Sequence, residues 1–183
     1  MVSISRPEPD EAAPFYHGYI AKVPEGDLVD QLTKQIREVE QLLQNVSDQN
    51  ALARYAEGKW SVKEVLGHLC DVERIFTYRL LRIGRGDATE LPGFDEKAYV
   101  PAGKFDQRPL STLVSEFRAV RLSTIALMGS LPGDAWSRWG KANETPVTAR
   151  ALAYIIVGHV AHHLGVLRNR YGLSAMMASQ SPA

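Results

Sequence analysis

The sequence predicts an all-α fold, a four-helix bundle. Two observations support this class. Apolar residues recur at helical spacing in four long segments, and no segment shows the strict alternation that is typical of a half-buried strand. Four amphipathic helices must each bury an apolar face, and packing those faces against one another gives a bundle.

The first two long helices are predicted from about Asp27 to Val46 and from Ser61 to about Gly84. The second begins with a capping box, because Ser61 and Glu64 can each satisfy a free backbone N–H of the first turn. The apolar residues of the first helix that share a face are Leu28, Leu32, Ile36, Val39 and Leu43, and those of the second are Val62, Val65, Leu69, Val72, Phe76, Leu80 and Ile83.

The third and fourth long helices are predicted over residues 111–131 and 148–171. Pro132 and Gly133 end the third, and Gly172 is the expected C-terminal cap of the fourth. A shorter helix is expected over residues 49–56, between the first two.

The expected domain organisation is a single bundle over residues 18–172. Residues 1–17 hold three prolines among acidic residues and are expected to form an extended arm, and residues 173–183 a flexible tail. Two connections, residues 85–110 and 132–147, are too long for tight turns. Long loops without their own helix or strand are usually functional or disordered, so we expect these two to wall a pocket on the bundle.

Composition excludes several classes of partner. The chain has 183 residues, which suit one domain, and its 21 basic residues balance its 21 acidic ones. Neither nucleic acid nor an anionic membrane is therefore expected as a partner. A single cysteine, Cys70, excludes an intramolecular disulfide and fits a reducing compartment. With no secretory signal and no run near 18 apolar residues, the expected location is the cytoplasm.

Three histidines indicate that the expected pocket holds a metal. His159 and His163 are four residues apart on the apolar face of the fourth helix, ~6 Å apart along its axis. His68 lies at the edge of the apolar face of the second helix. Three imidazoles around one divalent ion would leave a position open, as in catalytic metal sites. His162 points ~100° from His163 and is expected to face solvent or to support a ligand.

Simpler interpretations stay open for these residues. Each histidine can be an ordinary core or surface residue, although three buried imidazoles without an ion need several polar partners. Asp71 can be a fourth ligand, a base or acceptor for the N–H of a ligand imidazole, or a solvated carboxylate. Glu73 is expected to be structural, paired with Arg79, Arg82 or Arg121.

The chain resembles the DinB-like superfamily, which includes YfiT-type metal-dependent hydrolases, over roughly residues 18–172. The resemblance lies in GKWSVKEVLGHLCDVER (residues 58–74), in RGD and LPGFDE (residues 85–87 and 91–96), and in GHVAHHL (residues 158–164). It implies a four-helix bundle, often a homodimer, and a divalent metal, most often nickel or zinc. Carried over by position, the ligands are His68, His159 and His163.

The function that this resemblance implies is hydrolysis of a small molecule by a metal-activated water. One alternative is a metal-dependent S-transferase that uses a small thiol such as bacillithiol or mycothiol. Another is a metal-binding module without catalysis. No residue of the sequence selects the substrate, the metal or the reaction.

Overall fold

The computed structural model describes residues 4–173, and within them the chain folds as a four-helix bundle, as predicted. The bundle helices are α2 (Leu28–Leu43), α3 (Val62–Gly84), α5 (Leu110–Ser130) and α6 (Ala149–Arg170), and two shorter helices are α1 (Pro14–Ile20) and α4 (Glu96–Gly103). A short hairpin joins β1 (Trp139–Ala142) to β2 (Thr145–Thr148).

The order of the helices around the bundle differs from their order in the chain. Helix α3 packs against α5 and α6, and α2 packs against the same two helices. Consecutive long helices α2 and α3 therefore stand at opposite corners. Helix α1 lies on α6, and α4 lies on α3, so both short helices cover the part of the bundle where α3 meets α6.

The starts of three long helices follow from their caps. Asp27 Oδ1 accepts hydrogen bonds from the first turn of α2, the nearest being Val29 N at 2.8 Å. Ser61 and Glu64 form the predicted capping box of α3, and Thr148 caps α6. Each side chain satisfies a backbone N–H that the helix itself cannot pair.

Two expectations about the segments between long helices are wrong. The helix expected over residues 49–56 is only a 3-10 turn, Asn50–Leu52. The absence of strands is contradicted by the β1–β2 hairpin, whose turn residues Asn143 and Glu144 have φ values of 51° and 63°. A two-residue turn of this kind needs positive φ at both positions, and the sequence lacks the usual Asn-Gly signal.

The long connections are also more structured than expected. Residues 85–110 contain α4, which begins after the capping residue Asp95. The helix forms although it contains Pro101. Residues 132–147 contain β1, the hairpin turn and all but the last residue of β2. Short elements of four to eight residues carry too few apolar positions for periodicity to reveal them.

The prediction of an extended arm over residues 1–17 is wrong for its last residues, because α1 begins at Pro14. Proline suits the first position of a helix because its missing N–H would have no partner there. The segment is held against α6 by Glu11, which accepts hydrogen bonds from Arg150 Nε at 2.7 Å and Thr148 Oγ1 at 2.6 Å. The tail expected over residues 173–183 lies outside the described residues except for Leu173, which is buried.

Among the described residues, α6 is the one helix that is long and apolar enough to be a candidate membrane span. By length and mean hydropathy (1.2 over 18 residues) it could cross a membrane, but 67% of that window is buried within the bundle. A central core helix passes the same test, and its burial accounts for its composition.

Candidate metal centre

The three histidines meet where α3 faces α6. The Nε2 atoms of His68 and His159 lie 3.1 Å apart. The ring centroid of His163 is 4.6 Å from that of His159 and 5.0 Å from that of His68. One nitrogen of each ring lies within 4.8 Å of the other two. The sequence-predicted trio is thus one compact group of nitrogen donors.

Burial keeps these imidazoles neutral. It lowers the pKa of His68 to about 4 and that of His163 to about 3, and it takes the pKa of His159 well below the ordinary value of 6.5. For His159 and His163, the neighbouring histidines lower the pKa further. Neutral imidazole is the form that binds metal ions, so no proton has to leave at pH 7.

The donor set fits one divalent ion better than it fits a hydrogen-bond network. Within residues 4–173, the contact between the two Nε2 atoms is the one hydrogen bond of His68 and of His159, and the buried Nδ1 of His163 has no partner. Two nitrogens bound to one tetrahedral zinc would lie ~3.3 Å apart, close to the 3.1 Å found here. An ion would satisfy at once the nitrogens that the protein leaves poorly paired.

A cavity of about 140 Å³ opens over the histidines. The ring of Trp60 lies 4.6 Å from that of His68, and the ring of Tyr19 lies 5.4 Å from that of His159. The other side chains that line the cavity are Phe15, Tyr16, Val72, Phe76, Phe94, Glu96, His162 and His163. The aromatic side chains of this lining favour contact with an apolar part of a ligand.

His162 and Asp71, the other two residues proposed for the metal site, differ in their position relative to the cavity. His162 lines the cavity beside Tyr19, with ring centroids 5.3 Å apart, but does not belong to the group of converging nitrogens. Asp71 does not line the cavity, since its carboxylate faces Arg74 at 3.7 Å. Burial raises the pKa of Asp71. A role for Asp71 at the metal therefore has no support from its position.

Two functional candidates were missed by the sequence analysis. Glu96, the first residue of α4, is the acidic residue that lines the cavity. Tyr19 reaches it from α1, a helix that was not predicted and that begins within the segment expected to form an extended arm. The acidic pair Asp95-Glu96 is the signature of a helix start and could have revealed α4, but the sequence holds no signal for where α1 docks.

A family model described as the DinB superfamily matches residues 31–167. A solved structure, described as YfiT from Bacillus subtilis, a probable metal-dependent hydrolase with an unusual four-helix bundle topology, is 19% identical. The match covers 96% of this chain and 95% of that one, with a TM-score of 0.70. At this identity the likeness shows a shared fold. None of the curated proteins matches the chain.

Proposed function

The chain belongs to the DinB superfamily, and on that premise we propose that it is a metal-dependent hydrolase of a small molecule. The proposed ligands of a divalent metal are His68, His159 and His163. The observation that carries the proposal is the convergence of three neutral imidazoles in the wall of a cavity. A convergent set of metal donors that lines a cavity is typical of an active site.

A site with three protein ligands keeps a coordination position for water or substrate. Within the described residues, the donor group has three members and no fourth carboxylate, cysteine or histidine. Structural zinc sites are closed by four protein ligands, so this count favours chemistry. A divalent ion supplies a Lewis acid that polarises a carbonyl and makes hydroxide available from water near pH 7. Imidazole ligands suit nickel and zinc equally well.

Two side chains of the cavity have roles in this proposal. Burial, and then the negative charge of Glu96, raise the pKa of Tyr19, so its phenol stays protonated. Its O–H can donate to the oxygen that becomes negative as a carbonyl is attacked. Glu96 is the candidate acceptor for the proton that the attacking water loses.

The setting of the enzyme is also part of the proposal. A cytoplasmic location rests on composition, above all on the single, buried Cys70. Homodimeric assembly rests on the resemblance to the family.

The proposed reaction is tested with protein that is stripped by a chelator and reloaded with zinc or nickel. We expect slow, metal-dependent hydrolysis of at least one member of a panel of 4-nitrophenyl esters and anilides. His159→Ala should abolish it, whereas His17→Ala, an exposed histidine of α1, should not. Equal rates in the stripped and loaded protein would contradict the proposal.

Cobalt-substituted protein distinguishes this reaction from thiol transfer. We expect no saturable sulfur-to-cobalt charge-transfer band with millimolar bacillithiol or mycothiol. A saturable band together with turnover of an electrophile would move the function to S-transferase. Neither hydrolysis nor a thiol band would leave a metal-binding module without catalysis.

A further inference from the structure

Arg79 of α3 is a buried cation that lacks a counter-charge. The residue is 3% exposed, yet within residues 4–173 no carboxylate lies within 4.0 Å of its guanidinium. Its Nη2 donates a hydrogen bond to the carbonyl oxygen of Pro92, at 2.7 Å, and the hydroxyl of Tyr16 is a second, neutral polar neighbour of the guanidinium. The guanidinium lies 5.5 Å from the ring of Phe76 and 5.8 Å from that of Phe94. Aromatic faces offset only part of the cost of burying a charge.

The other buried arginine of the bundle, Arg121, has the partners expected of a guanidinium with a purely structural role. Arg121 is fully buried, and its Nη2 lies 2.7 Å from Glu73 Oε2. Its Nη1 donates to Gln35 Oε1 at 2.8 Å. Glu73 is thus the structural carboxylate that the sequence predicted. Arg121 has a carboxylate and an amide as partners, and Arg79 has neither. Contacts within the protein therefore do not account for the buried positive charge of Arg79.

Arg79 lines a second cavity, of about 390 Å³, that adjoins the cavity over the histidines. Tyr16, Phe94 and Glu96 belong to the walls of both cavities. Asn143 of the hairpin turn also lines the second one. A molecule that starts at the histidines and passes between these shared walls would reach the guanidinium of Arg79.

We propose that Arg79 binds the carboxylate of the substrate, so that the hydrolase acts on an elongated apolar molecule with an acid group remote from the cleaved bond. The planar guanidinium matches a carboxylate, with which it can form two parallel hydrogen bonds. Arg79 is the one cationic residue that lines the second cavity, which Glu96 also lines. One cationic and one acidic side chain in the same lining suit a substrate group with a single negative charge and disfavour a phosphate with two. The inference rests on the proposed function and specifies its substrate class.

The geometry of α3 sets the length of that molecule. Arg79 follows His68 by eleven residues, which corresponds to ~16 Å along a helix. Helical side chains lean toward the N-terminus, so the guanidinium reaches back toward Phe76 and the histidines. The walls between the two ends are aromatic, and they favour a substrate with an apolar body.

The test measures binding to metal-free protein, so that a carboxylate cannot be held by the ion. Calorimetric titration compares 4-phenylbutyrate with its neutral amide, 4-phenylbutyramide, and with 3-phenylpropyl phosphate. We expect the carboxylate to bind about 10- to 100-fold more tightly than the amide, the effect of a charge-assisted hydrogen bond. The phosphate should bind more weakly than the carboxylate.

Arg79→Met should remove the preference for the carboxylate, because it keeps the length and apolar stem of the side chain without the charge. Arg85→Met is the matched control, since Arg85 is an exposed arginine that follows the same helix and lies outside both cavities. The control should bind 4-phenylbutyrate as the parent protein does. If Arg79→Met fails to fold, the three ligands still decide the matter on the unmodified chain.

Equal affinity for acid and amide, no binding of either, or tighter binding of the phosphate would each overturn the assignment. So would a preference for the carboxylate that survives in a folded Arg79→Met. Because no metal is present, this result is independent of the proposed reaction. Carboxylate binding without any metal-dependent hydrolysis would uphold the subsite and refute the hydrolase. Hydrolysis without carboxylate binding would do the reverse.

Discussion

At the scale of single residues, the candidate centre depends on three imidazoles that lose their water on folding. His68 and His159 are 4% and 6% exposed, and few polar groups replace that water. A buried polar group without a partner costs about 1–3 kcal/mol. A bound ion would offset this cost for all three rings. The same argument does not extend to His162, because it does not belong to the group of converging nitrogens, whereas His163 does and has a buried Nδ1 without a partner.

The first prediction therefore concerns the ligands. Replacing His68, His159 or His163 by alanine should each abolish stoichiometric metal, because two imidazoles hold a divalent ion far more weakly than three. His162→Ala should keep the metal. Elemental analysis of the purified variants measures this directly. If His162→Ala lost the metal and His163→Ala kept it, the ligand on α6 would be His162 and the assignment of His163 would be wrong.

At the scale of elements, α1 forms the wall of the cavity because α6 lets it approach closely. A Cβ added at Gly158 would lie 2.1 Å from the carbonyl oxygen of Tyr19. The glycine is thus required for the contact between α1 and α6, and through it for the position of Tyr19 over His159. The helix that carries two ligands also determines where the cavity wall sits.

Gly158→Ala should lower the free energy of unfolding by about 1–3 kcal/mol, since the new methyl group must push α1 away. Gly165→Ala on the same helix is the control, because no atom lies within 4 Å of the added Cβ. That variant should be unchanged or more stable by up to about 1 kcal/mol. Urea titration gives both values, and hydrogen exchange should rise over α1 in the first variant alone. Equal stability of the two would refute the role of the close contact.

A second element-scale prediction concerns the segment before α1. Hydrogen bonds from Arg150 lower the pKa of Glu11 below its ordinary value of 4.5, although burial opposes them. A carboxyl group whose folded pKa is depressed stabilises the fold above the unfolded pKa, and the contribution disappears as pH falls through the folded value. We therefore expect stability to fall below pH 4.5 more steeply in the parent protein than in Glu11→Gln.

Thermal unfolding between pH 3 and pH 7 measures this difference. Glu57→Gln, at an exposed site, is the matched control and should follow the parent protein. If Glu11→Gln shows the same pH dependence of stability as the parent protein, then the ionised Glu11 carboxylate does not stabilise the fold.

At the scale of the whole molecule, the candidate metal ligands lie between two apolar clusters. Val157 and Val72 belong to one cluster, and Val160 and Leu69 to the other, so the histidines lie where the two meet. The Arg121–Glu73 pair is buried near the same level of α3. Each cluster buries its own apolar surface, and neither requires the ion in order to form.

Chelation should for this reason lower the melting temperature without unfolding the protein. With free metal 100-fold above its Kd, the ion adds about 2.7 kcal/mol, or about 5–10 °C for a chain of this size. Circular dichroism should show an unchanged helix content in the metal-free protein at 25 °C. A metal-free protein without helical signal would mean that the ion, rather than the two clusters, holds the bundle together.

The sequence by itself determined the four long helices, because their spacing and caps are local properties that a few adjacent residues define. It also determined that His159 and His163 share a face, since four residues make about one helical turn. Only the tertiary structure decided that α3 lies beside α6, that α1 forms a wall of the cavity and that, within residues 4–173, Arg79 has no carboxylate partner. These features depend on side chains far apart in the chain, and the packing of the whole core selects which of them meet.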